Sequence, residues 1–171
     1  MATPEVRTLP RWNDLPDFGL YKDQVISLME RHFCTPEGTG EKRLTASMVN
    51  NYVKIGVIPS PTKRKYGREH LACLMIVCAL KPVLPLAVIR EILLNKGEED
   101  DLSELYDRFC QQFEAAEREA QDAVAYDEET PADPYATVIT SALSAQARRN
   151  VALTYWARCG EQDDGPAKRK P

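Results

Sequence analysis

Apolar residues return at helical spacing over most of this chain. Between Leu20 and Phe33 they stand at Leu20, Tyr21, Val25, Leu28, Met29 and Phe33, one face of an amphipathic helix. The stretch from Thr35 to Gly40, rich in Gly, Pro and Thr, breaks that pattern. A second helix opens near Thr45 or Ser47, both good N-caps, and stops at Gly56. Residues 57–66 carry Pro59 and Pro61 and predict two short extended pieces around a tight turn, with the prolines on an edge. Arg68 to Leu80 reads as a strongly apolar helix, and Leu86 to Asn95 as another, ended by Gly97.

The apolar run Leu71–Ile89 has a single charge, Lys81, and nearly the length of a membrane span. Pro82 and Pro85 interrupt it, so two short buried helices with a turn at 81–85 are expected instead. Asp101 starts a long helix reaching about residue 125. Its seam, Leu102, Tyr106, Phe109, Phe113, Ala116, Ala120 and Ala123, alternates four and three residues apart, as heptads do. Asp133-Pro134, a cap followed by proline, opens a final helix running to Gly160. The expected organisation is an arm over 1–18 pinned by Trp12 or Phe18, a domain over 19–97, a helical region over 98–160 and a disordered tail over 161–171.

Composition narrows the function. With 171 residues, 43% of them apolar, the chain can bury a real core. A net charge of −4 excludes a protein that coats nucleic acid by bulk charge. The charge is nevertheless concentrated: residues 41–70 hold seven bases against two acids, while residues 91–133 hold fifteen acids against three bases. Screening confines each patch to its surroundings, so a basic module in an acidic protein can still hold phosphates. The five cysteines, at 34, 73, 78, 110 and 159, form no CxxC pair, and no secretory leader pattern appears, so a cytoplasmic protein with reduced thiols is expected.

The second helix has chemistry to offer. Met48, Val49, Tyr52 and Ile55 share one face and should pack inward, leaving Ser47, Asn50, Asn51 and Lys54 on the other. Small amides and a hydroxyl read base edges by hydrogen bonding, and lysine neutralises phosphate. Lys63, Arg64 and Lys65 follow within fifteen residues. Other combinations carry less. His70 and Cys73 lie one helical turn apart, but two residues are not a metal site. Cys110 and Cys159, on the last two helices, read as inert core cysteines rather than thiol sensors. The acids from Glu98 to Asp101 suit a helix N-terminus better than a catalytic pair. No catalytic residue, metal or cofactor is expected.

The string Val49-Asn-Asn-Tyr52-Val-Lys-Ile-Gly56, a short turn, Lys65-Tyr66, then Leu71, Leu74, Ile76, Leu80, Leu86, Ile89 and Leu93 is similar to the MerR-type winged helix-turn-helix. It resembles more closely still an uncharacterised bacterial family of domains of unknown function, with a hallmark like the LTASMVNNYVK at Leu44–Lys54 followed by a basic-Tyr pair. The resemblance covers about residues 20–95 and rests on the combination of motifs. It implies a mostly α fold with a two-stranded wing and two long C-terminal helices. It also implies DNA binding through the second helix, wing contacts to the backbone, and dimerisation by a C-terminal helix. Ser47, Asn50, Asn51 and Lys54 would then face the major groove, and Lys63, Arg64, Lys65 and Tyr66 the phosphates. Two departures stand out: Asn50 where MerR proteins carry arginine, and the long linker from Cys34 to Leu44.

The resulting expectation is a cytoplasmic transcriptional regulator of MerR-like type that binds double-stranded DNA as a homodimer and takes a small-molecule effector on its C-terminal helices. Leu102, Tyr106, Phe109 and Phe113 would form the dimer seam, unless Tyr135, Ile139, Leu143, Val151 and Tyr155 of the final helix cover it. The alternative is a module on the same scaffold that binds a protein partner and has lost DNA binding.

Overall fold

A computed structural model describes residues 6–33, 44–94, 101–128 and 134–163. The expected break at Gly97, most of the Cys34–Leu44 linker, the acids Glu98 to Asp100 and the tail from residue 164 lie outside the described residues. After a single 3-10 turn at Trp12–Asp14 come α1 (Lys22–His32), α2 (Ala46–Lys54), α3 (Arg68–Leu80), α4 (Leu86–Leu94), α5 (Leu102–Glu128) and α6 (Pro134–Asp163). The chain divides into two units, Met1–Asp122 and Ala123–Pro171.

α3 is the axis of the first unit. A helix apolar on every side has nowhere to go but inside, and His70 through Val77 are all buried. α1 and α4 pack on α3, and α2 packs on α1. Val25 and Met29 of α1, Val49 and Tyr52 of α2, Ile89 and Leu93 of α4, and Leu102, Tyr106 and Cys110 of α5 join one apolar cluster. Each fully buried large apolar side chain stabilises the fold by about 1.5–3 kcal/mol. The turn at Lys81–Pro85 separates α3 from α4 as the prolines require, and among the described residues no helix is long and apolar enough to cross a membrane.

The expected two-stranded wing is absent: the described residues contain no strand or sheet, only two isolated bridges, Leu20 with Tyr66 and Thr62 with Lys65. Pro59 and Pro61 lack the N–H groups a ladder needs, so pairing stops at the tight turn. There the Thr62 and Lys65 backbones exchange hydrogen bonds of 3.1 and 2.9 Å, with Lys63 at φ 50° and Arg64 at φ 64°. Those angles make a type I′ turn. Beyond it, Tyr66 gives both its backbone groups to Leu20 at 2.9 Å. Nothing in the architecture supports a MerR-like winged helix; the mostly helical expectation stands.

The arm explains why the first unit extends to Asp122. Its extended residues strap α5: Arg11 chelates the Glu114 carboxylate at 2.9 and 3.0 Å and donates to the Asp107 carbonyl at 3.2 Å. The Trp12 N–H meets the Asp107 carboxylate at 2.7 Å, and Arg7 pairs with Glu117. Tyr106 is fully buried, donates to the Pro10 carbonyl at 2.9 Å and meets Trp12 edge-on. Phe109 and Phe113 pack against the same core, Phe113 edge-on to Phe33. The residues expected to form a dimer seam are therefore held inside the chain, by the arm and core. On α6 itself Tyr135, Val138, Ile139, Leu143, Val151 and Tyr155 are each more than half exposed.

Candidate nucleic-acid-binding face

α2 is delimited by its own sequence. Thr45 caps it, its hydroxyl accepting from the Met48 N–H at 3.2 Å. At the other end Gly56 takes φ +70°, a conformation that suits glycine. The Gly56 N–H bonds to the Val53 carbonyl at 3.1 Å and the Val57 N–H to the Tyr52 carbonyl at 2.9 Å, the two bonds of a Schellman ending. Val49 and Tyr52 are buried, and Ser47, Asn50, Asn51 and Lys54 are exposed. Ile55, expected inward, is 40% exposed because it already belongs to the turn rather than the helix.

Two contacts connect this face to the basic turn. Lys22, at the start of α1, donates to the Asn50 side-chain oxygen at 2.5 Å. Its neighbour Tyr21 carries the Lys65 ammonium over its ring, 5.4 Å from the centroid. Residues 21 and 22 thus bridge α2 to the turn, and Gly19 makes room for it: a Cβ there would stand 2.8 Å from the Lys65 Cβ. Lys54, Lys63, Arg64 and Lys65 are exposed and Lys22 half-buried. This arrangement offers exposed amides for hydrogen bonding together with exposed cations. Nothing local in the sequence marked Tyr21 or Lys22, since Lys22 meets Asn50 across 28 residues.

Tyr66 does not belong to this face. It is 2% exposed, its ring meets His70 edge-on, and burial pushes its phenol pKa up. Alternation explains the reversal, since Lys65 and Tyr66 leave the turn on opposite sides. His70 has both ring nitrogens engaged. Nδ1 accepts from the Gly67 N–H at 3.1 Å, so Nε2 carries the proton and donates to the Ser60 carbonyl at 3.2 Å. His70 thereby ties the turn segment to the start of α3. Among the described residues no group of three or more His, Cys, Asp or Glu could hold a metal ion. Burial raises the thiols of Cys78, to about 12, and Cys110, which disfavours the reactive thiolate.

Residues 10–109 match the family defined as a domain of unknown function, DUF1836. The chain belongs to the DUF1836 family. The matched span opens at Pro10, which accepts the Tyr106 hydroxyl, and so takes in both partners of that hydrogen bond along with the whole of α1–α4. No curated protein and no solved structure matches the chain.

Proposed function

We propose that this DUF1836 protein binds double-stranded DNA through the exposed face of α2 and acts as a transcriptional regulator. The observation that carries the reading is the bridge at Tyr21–Lys22, where two adjacent residues contact Asn50 of α2 and Lys65 of the basic turn. In this reading Asn50 and Asn51 contact base edges, and Lys22, Lys54, Lys63, Arg64 and Lys65 neutralise phosphates. The bond from Lys22 leaves the Asn50 amide nitrogen, a donor, to the bases.

Selection of bound sequences from a random duplex library, followed by titrations in salt, tests it. Wild-type affinity should fall by orders of magnitude between about 50 and 200 mM salt. Replacing the turn pair by Asn-Gly (Lys63→Asn with Arg64→Gly) preserves the type I′ geometry. That variant should keep or gain stability, bind every duplex more weakly and show a flatter salt slope. Asn51→Ala should instead blur preference among sequences by about 1–3 kcal/mol. Duplex affinity untouched by the turn variant, or absent altogether, overturns the reading and favours a protein partner.

A further inference from the structure

The short pairing of Leu20 with Tyr66 has two sides, and only one belongs to the core. Leu20 and Tyr66 are both buried, so side chains point inward at these positions and outward at their neighbours. Antiparallel register sets Tyr21 opposite Lys65 and Gly19 opposite Gly67 on the outer side. Tyr21 is 58% exposed there, and Phe18, just before the pairing, is 64% exposed. A Cβ at Gly67 would meet nothing within 4 Å. Bare backbone therefore leads from an open aromatic ring past Gly67.

Beyond Gly67 lies a depression of about 370 Å³ lined by Trp12, Asp17, Gly67, Arg68, Glu69 and His70. That volume suits a small planar group. Part of its polar wall is already bonded. The Arg68 Nε donates to the Leu15 carbonyl at 3.2 Å, and its guanidinium stands 6.0 Å over the Trp12 ring. Both His70 ring nitrogens are engaged as well. Asp17 and Glu69 are exposed, and their carboxylates are acceptors only, so this end suits a ligand that presents N–H donors. The other end suits negative charge, with Lys65 over Tyr21, Lys22 beside it, and Lys63 and Arg64 at the turn.

One chemistry satisfies both ends. Cytosine donates from its N4 amine to a carboxylate. The neighbouring base offers a π face to a tyrosine, and the strand supplies phosphates for the cations. A paired cytosine is stacked inside the duplex and cannot enter a depression without being flipped out. We infer that this face binds single-stranded nucleic acid, with an unpaired cytosine in the depression, a neighbouring base on Tyr21 and phosphates on the Lys63–Lys65 turn. It shares the turn's cations with the duplex reading but uses nothing of α2, so the two can fail separately.

Fluorescence anisotropy of the full chain with short labelled oligomers, one of deoxycytidine and one of deoxythymidine, tests the inference. The cytidine oligomer should bind at least about fivefold more tightly, the discrimination expected of one good base-edge contact. Asp17→Ala with Glu69→Ala should bring the two affinities together. Tyr21→Leu should weaken both oligomers by at least about fivefold, whereas Tyr21→Phe keeps the ring and the affinity. Asp17, Tyr21 and Glu69 are exposed, so the circular dichroism of each variant should match wild type. Equal wild-type affinity for the two oligomers, or Tyr21→Leu binding like wild type, overturns the proposal. A chain that binds duplexes but neither oligomer overturns it too and leaves the α2 reading intact. Cytidine-selective binding without duplex binding supports it and sinks the α2 reading alone.

Discussion

α3 and α6 both hold apolar residues in a continuous helix, yet they meet opposite fates. α3 has eight consecutive buried residues, whereas the longer α6 exposes six large apolar side chains. α3 is apolar on every side and is enclosed by α1 and α4. α6 spreads its large apolar side chains thinly around the helix, with alanines and polar residues between them. The share of apolar residues in a helix therefore decides how fully it must be enclosed.

The contrast can be broken most forcefully by truncation. Leu74→Ala should destabilise the first unit by about 2–5 kcal/mol, because it opens a cavity in a fully enclosed site. Val138→Ala on α6 should change stability by less than about 0.5 kcal/mol. Urea unfolding of both variants measures the difference; equal losses would mean that α6 is as enclosed as α3.

Alkaline pH attacks the enclosed region by another route. Burial pushes Cys78 from its ordinary 9.0, and Tyr52 from its ordinary 10.0, up to about 12, and raises Tyr66, Tyr106 and Cys110 as well. Above pH 9 the unfolded chain releases protons that the folded chain retains, so stability should fall progressively as pH climbs from 9 toward 12. Thermal melts across that window check the sign. Cys78→Ala should flatten the early part of the decline; a melting temperature independent of pH would show that these groups are hydrated.

Within the first unit the smallest loss belongs to the strap. Arg11→Ala should cost about 1 kcal/mol, since the Glu114 pair is partly exposed and screened while the bond to the Asp107 carbonyl is a single further contact. The loss should shrink at high salt. A loss that ignores salt would assign the strap to packing of Trp12 on Tyr106 instead of to charge.

Much of the fold could be read in advance because its signals are local. Thr45 and Gly56 delimit α2 through bonds to residues no more than five away, and Pro82 and Pro85 divide α3 from α4. The wing failed for an equally local reason, since Pro59 and Pro61 deny it a ladder. The candidate face was only half legible. Ser47, Asn50, Asn51 and Lys54 follow from helical periodicity, but Tyr66 shares a basic motif with Lys65 and is nevertheless core. Tyr21 and Lys22 join the face only through space.

The amino-acid order by itself determined where helices start and stop and which residues share a face, because caps, turns and periodicity act within a few residues. Tertiary structure alone decided which faces are covered. The α5 seam is a regular apolar pattern that predicts a partner without naming it. The arm reaches Tyr106 and Glu114 from about a hundred residues away and covers the seam's aromatic end. Contacts that distant depend on how the whole chain packs, and no window of sequence contains them.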